Sequence, residues 1–223
     1  AASFIAYEAT ERIAETNNVI IVTVNYRLQA LGFLGGDLLR DPVDKSTGNW
    51  GLKDQRFAMK WVQTNAENLG GNKDRVTIFG ESAGAGSVGN HMVAPKSWPY
   101  FHRAIMESGP IAASWIAMPM NASEYNLNEI LVRLKCPPAA NSTAALECLR
   151  SKNISEIYRA GDNSQPHDDP GGVSLIDWSP VVDGIELLDD PLNSLKRGEV
   201  NRVPVLLGSN KNEGTEFVKP KED

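Results

Sequence analysis

The chain has 223 residues, enough for one domain with a sizeable core. With 41% apolar residues, 22% charged residues and a net charge of −6, it offers no basic footprint for nucleic acid or an anionic membrane surface. No apolar run approaches the ~20 residues of a membrane helix. The sequence opens on "AASFIAYEAT" with no initiator methionine, so an upstream part of the protein is expected.

"NVIIVTVNY" (18–26) is a continuous apolar, β-branched run and reads as a fully buried strand. The Gly-, Asp- and Pro-rich stretch 31–51 reads as a long surface loop. Residues 52–69 space Leu52, Phe57, Met59, Trp61, Val62 and Leu69 among polar residues, which predicts an amphipathic helix stopped by Gly70-Gly71. "RVTIF" (75–79) is a short buried strand. Small residues then alternate with apolar ones from Ser82 to about Val93, predicting a helix packed closely on the sheet and ended by Pro95. "RAIMES" (103–108) is a further strand, 121–160 is helical in pieces, 161–172 is a polar loop, and "RVPVLLGSN" (202–210) is the final strand. The alternation of strands and helices predicts an α/β layered fold with a mostly parallel sheet.

Gly80-Glu81-Ser82-Ala83-Gly84 has the pattern G-x-S-x-G. The pentapeptide is common by chance, but here a strand runs into it and a helix leaves it, which is the setting of a nucleophile elbow. The serine then sits in a strained turn at the carboxyl edge of the sheet. Side chains at 80 and 84 are expected to collide with the neighbouring strand and helix. The helix N-terminus adds positive potential, and the Ala83 N–H is placed to bind an oxyanion. The plainer reading is that these are small residues serving helix–sheet packing.

"VTVNYRL", "LGFL", "GNWGLKDQ", "WVQTNAENLGGNKDRVTIFGESAGAGSV" and "FHRAIMESG" resemble the type-B carboxylesterase/cholinesterase-like family, in order, from about Val19 to Phe217. The resemblance implies an α/β-hydrolase fold and hydrolysis of small carboxylic esters through an acyl-serine, with a Ser–Glu–His triad and no cofactor. It implies a single, partial domain over 1–223 with a helical, cysteine-bearing insertion at 121–172. "GSNKNEGTEF" is similar to the family segment bearing the catalytic glutamate, which assigns Glu213. Asn212 departs from the aspartate common there.

The base is not evident among the three histidines. His91 lies nine residues after Ser82 on the same helix, ~13 Å along its axis, and cannot reach it. His102 precedes a strand and so lies at the amino edge of the sheet. His167 precedes Glu213, against the fold's Ser–acid–His order. The resemblance places the histidine beyond Asp223, and a Gly-rich oxyanion segment before "AASF". The missing parts of the same protein are therefore expected partners of this chain.

Beside the serine, Glu81 could favour a cationic transition state, organise water or simply bond nearby backbone. The resemblance makes Ser108 a partner of Glu213 and puts Trp115 and "VSLIDWSPVVDG" (173–184) around the acyl pocket. Ser174 and Ile176 stand where short-acyl cholinesterases carry bulky aromatics, implying a pocket roomier than one built for acetyl. A non-catalytic, cholinesterase-like adhesion or binding protein is the alternative; such members often lose the nucleophile, which is retained here.

Cys136 and Cys148 could close a small loop or remain buried thiols, and they match a family disulfide position. Together with three N-x-[ST] sequons at Asn121, Asn141 and Asn153, they favour an oxidising, glycosylating compartment: secreted, lumenal or cell-surface. No His/Cys/carboxylate cluster has metal-ligand spacing.

Overall fold

The structure, a computed structural model, describes residues 10–161 and 178–216. In chain order the elements are α1 (Thr10–Asn17), α2 (Gln29–Phe33), α3 (Trp50–Asn65), β1 (Thr77–Glu81), α4 (Ala83–Val93), β2 (Arg103–Glu107) and β3 (Met118–Pro119). They continue with α5 (Met120–Arg133), α6 (Ser142–Ser151), α7 (Ile154–Ala160), β4 (Val181–Val182), α8 (Pro191–Lys196) and β5 (Val205–Gly208).

β1, β2 and β5 form a parallel sheet in the order β1-β2-β5. The register pairs Glu81 with Glu107 and Glu107 with Gly208, so the three strands end in one row. α4 lies against this sheet. Ala85, Val88 and Met92 on its inner face pack with Ala104 and Met106 of β2, Met59 of α3 and Phe101. Parallel strands need crossover connections, and the long ones here carry the helices. β3 and β4 form a second, two-stranded parallel pair.

A separate cluster gathers Leu127, Ile130 and Leu131 of α5 with Ala145 and Leu149 of α6 and Ala160 of α7. Cys136 and Cys148 are joined in a disulfide that ties the end of α5 to α6. α7 begins with a capping box. The Asn153 side chain accepts from the Glu156 N–H, and the Glu156 carboxylate accepts from the Asn153 N–H.

Three sequence expectations are corrected. Residues 18–26 are not a buried strand: no ladder pairs them among the described residues, and Ile20 is 48% exposed. An apolar run supplies strand propensity, but a ladder needs a neighbouring strand. This segment is instead anchored where it ends, by a two-pronged Arg27–Asp54 ion pair onto α3.

The 31–51 stretch is largely not a surface loop. Gly32 to Gly36 and Ser46 to Asn49 are buried, and burial is tolerated because their polar groups are paired. The Asn49 side-chain amide donates to the Val181 carbonyl and accepts from the Val181 N–H, and it also donates to the Thr47 carbonyl. The Thr47 N–H donates to Asp183 Oδ2, and the Thr47 hydroxyl donates to the Gly36 carbonyl. The other oxygen of Asp183 accepts from the N–H groups of Ile185, Glu186 and Leu187.

The third correction concerns α3. It forms as expected, passing into a 3₁₀ turn that Gly70 ends in the left-handed conformation. Its buried side is Gly51, Leu52 and Met59, whereas Phe57 is 70% exposed and Trp61 and Leu69 are also exposed.

Candidate functional site

β1 runs directly into Ser82, which has φ 53 and ψ −117, and α4 starts at the next residue. A positive φ is strained for a residue with a side chain. Two backbone bonds hold it there. The Ser82 N–H donates to the Glu107 carbonyl at the end of β2, and the Ser82 carbonyl accepts from the Gly86 N–H, each at 2.9 Å. The hydroxyl does not cap the helix, although Ser82 occupies the N-cap position. It is exposed, as are Glu81 and Ala83. Ala83 opens α4, so its N–H has no partner within the helix.

The flanking glycines are not equivalent. A Cβ on Gly80 would fall 2.4 Å from the Gly84 carbonyl carbon, so glycine is required there for close approach. A Cβ on Gly84 would meet nothing within 4 Å. The expected collision therefore holds at 80 and is corrected at 84: the two positions approach each other, but the side-chain direction of Gly84 is open.

The adjacent strand repeats the turn. β2 ends at Glu107, and Ser108 has φ 55. The Ser108 N–H donates to the Gly208 carbonyl at 2.8 Å. The Ser108 hydroxyl donates to Glu213 Oε1 at 2.5 Å, and the Asn210 N–H donates to the same oxygen at 2.5 Å. These two donors, the hydroxyl first, hold the exposed Glu213 carboxyl below the usual glutamate range. Ser82, Ser108 and the Asn210–Glu213 turn thus follow the last residues of three adjacent strands, at the sheet edge where open α/β folds place their sites.

Trp115 is half-buried. A Cβ on Gly86 of α4 would touch its ring, and its carbonyl accepts from the Ser179 hydroxyl at 2.9 Å. Ser174, Ile176 and His167 lie outside the described residues. His91 is buried at the far end of α4 from Ser82. Its Nε2–H donates to Gln55 Oε1, which can only accept, so Nδ1 accepts from the Ser97 hydroxyl; both distances are 2.9 Å. Burial first, and the nearby Arg56 charge second, push its pKa down to about 3. This ring is a neutral packing element. His102 sits at the amino end of β2, where its N–H donates to the Val76 carbonyl at 2.8 Å.

Sequence reasoning named Ser108 through the resemblance, but missed the Asn210 N–H and the positive φ of Ser108. A signal for the second was present: both strands end in Glu-Ser, at 81–82 and 107–108. Among the described residues no His/Cys/carboxylate group could hold a metal ion, and no helix is long and apolar enough to cross a membrane.

The chain and its fold have close counterparts. Residues 5–223 match the model of the carboxylesterase family. A cholinesterase of Mus musculus is 41% identical over 207 residues, covering 92% of this chain and 33% of the relative. An acetylcholinesterase of Electrophorus electricus is 37% identical over 206 residues, covering 92% of this chain and 31% of the relative. A carboxylesterase of Geobacillus stearothermophilus superposes with a TM-score of 0.80 at 32% identity, covering 93% of this chain and 40% of that one. The fold is that of the α/β-hydrolases. The chain belongs to the carboxylesterase family. It spans about a third of the length of the curated relatives it matches.

Proposed function

We propose that the protein containing this chain hydrolyses small carboxylic esters through an acyl-serine formed on Ser82. The observation that carries this reading is the exposed Ser82 hydroxyl, held at positive φ between β1 and the open N-terminus of α4. Ser82 Oγ attacks the ester carbonyl while a histidine takes its proton. The carbonyl electron pair moves to oxygen, which the Ala83 N–H helps to bind. Collapse expels the alcohol, which receives the proton from that histidine. Water, deprotonated by the same base, then releases the acid and regenerates Ser82.

Glu213 orients the base and stabilises its charged form, and Ser108 holds Glu213. We assign the base itself to sequence beyond Asp223. His91 is committed to Ser97 and Gln55, and His102 lies at the opposite edge of the sheet. The family resemblance assigns the acyl pocket to Trp115, Ser174 and Ile176, a pocket roomier than one built for acetyl, and Glu81, next to Ser82, favours a cationic transition state or organises water. The domain is a single, partial α/β-hydrolase unit with a helical insertion at 121–172. Asn121, Asn141 and Asn153 are glycan acceptors in a secreted, lumenal or cell-surface protein.

Fluorophosphonate labelling of the full-length protein, with the modified peptide mapped, tests the reading. Label on Ser82 that disappears in Ser82→Ala is expected. A folded, full-length protein that takes no label at Ser82 would overturn it. Hydrolysis restricted to acetyl esters would overturn the roomy pocket alone.

A further inference from the structure

The turns after β1 and β2 meet at one residue. Gly109 follows Ser108, and a Cβ built on it would lie 2.5 Å from the Ser82 carbonyl oxygen, 2.8 Å from the Ala85 Cβ and 3.3 Å from the Gly86 nitrogen. Its φ is outside the left-handed region, so conformational freedom is not what requires glycine here. Contact is. The three atoms belong to the first turn of α4, and none is the far end of a flexible side chain that could step aside. Two of them, the Ser82 oxygen and the Gly86 nitrogen, are the partners in that turn's 2.9 Å hydrogen bond.

We propose that Gly109 is a positioning residue for the Ser82 nucleophile. By lacking a side chain it lets the turn that carries Ser108 press against the Ser82 carbonyl. The acid side and the nucleophile side then form one mechanical unit, running from Glu213 through the Ser108 hydroxyl and the Gly109 backbone to the Ser82 carbonyl and the Gly86 N–H. Four bonds or contacts define it: Ser108 Oγ to Glu213 at 2.5 Å, Ser108 N–H to Gly208 at 2.8 Å, Ser82 N–H to Glu107 at 2.9 Å, and the Gly109 approach itself. A side chain at 109 would displace the Ser82 carbonyl. That movement is transmitted to the Oγ and to the Ala83 N–H, which leave the same turn. The inference rests on the reading of Ser82 as nucleophile.

The test uses the full-length protein and a fluorophosphonate probe. In Gly109→Ala the maximal labelling rate constant falls about a hundredfold, as for an ångström-scale misplacement, while the reversible affinity for the probe stays within about twofold. Gly89→Ala is the control. Its Cβ would fall 3.1 Å from the Ile111 Cα, so it strains the packing of the same helix without touching the Ser82 turn. It lowers the melting temperature and leaves the labelling rate constant unchanged.

A second measurement needs no substitution in the packed turn. Glu213 is exposed, and Glu213→Gln weakens the charge-assisted bond from Ser108. If the turns are coupled, hydrogen exchange accelerates at both the Ser108 and the Gly86 amides. A folded Gly109→Ala protein that labels at the wild-type rate overturns the proposal. So does Glu213→Gln with faster exchange at Ser108 and unchanged exchange at Gly86. Wild-type protein without label at Ser82 would instead overturn the assigned nucleophile, and the exchange comparison would still decide whether the turns are coupled.

Discussion

Two regions of this molecule handle polar groups in opposite ways. Around Asp183, four backbone N–H groups converge on one buried carboxylate, and Asn49 and Thr47 satisfy their neighbours at zero exposure. At the carboxyl edge of the sheet, Ser82, Glu81 and Glu213 face solvent, and two serines are held at positive φ. The first region spends its polar groups on one another and fixes loops that belong to no sheet. The second keeps a hydroxyl uncommitted and stores backbone strain behind it. A buried network can tolerate no unpaired group, whereas a reactive edge needs one.

The largest expected effect lies in the buried region. Asp183→Ala leaves four backbone donors without their acceptor and should destabilise by ~5 kcal/mol in chemical denaturation. A loss below about 1 kcal/mol would mean that the network is solvated and the contrast is false.

Acid should divide the regions next. His91 is depressed from 6.5 in the folded state to about 3, so the unfolded chain binds its proton first. Stability from this residue is complete above the unfolded value. It is lost as pH falls from about 6.5 toward 3, on the order of 4 kcal/mol at the bottom of the range. Replacing His91 by Asn should flatten denaturation curves across that window.

Within the edge, Gly80→Ala drives a Cβ into the Gly84 backbone and should cost ~3 kcal/mol, while Gly84→Ala stays within about 0.5 kcal/mol. Equal losses would show that the elbow needs both glycines for the same reason. The smallest effect is local. Ser108→Ala removes the largest cause of the lowered Glu213 titration, the hydroxyl's hydrogen bond, so the carboxyl's NMR midpoint should rise toward the ordinary glutamate value with the fold intact. Above that midpoint Glu213 is charged, and only below it does the Asn210–Glu213 turn loosen.

What the sequence disclosed tracks how local each cause is. The elbow was legible because its parts lie together: an apolar strand, Gly80, Ser82 and a run of small residues. Helix α3 was legible from spacing and its Gly70 stop, but its exposed Phe57 and Trp61 were not, because periodicity reports a face and not what covers it. The 31–51 stretch misled because Gly, Asp and Pro suggest solvent. Its partners Val181 and Asp183 stand 132 and 136 residues away from Asn49 and Thr47. The 18–26 run misled the other way, since apolar composition carries no information about a neighbouring strand. At the site, Glu213 was reached by resemblance to a family segment. Its held geometry depends on Ser108, 105 residues earlier, and on a backbone N–H that no side-chain pattern signals.

Because Glu81, Glu107 and Gly208 share a row, the sheet behaves as a ruler for everything that follows it. A strand advances about 3.3 Å per residue and alternates faces, so a one-residue slip of β5 would be a change of side as well as of height. The loop after Gly208 would then present Asn210 and Glu213 out of reach of the Ser108 hydroxyl, without any atom of the Ser82 turn being altered. Lengthening or shortening the connection ahead of Val205 is harmless only if the ladder to Ala104 re-forms in its original frame. Insertions in this protein are thus to be judged by the phase they leave behind.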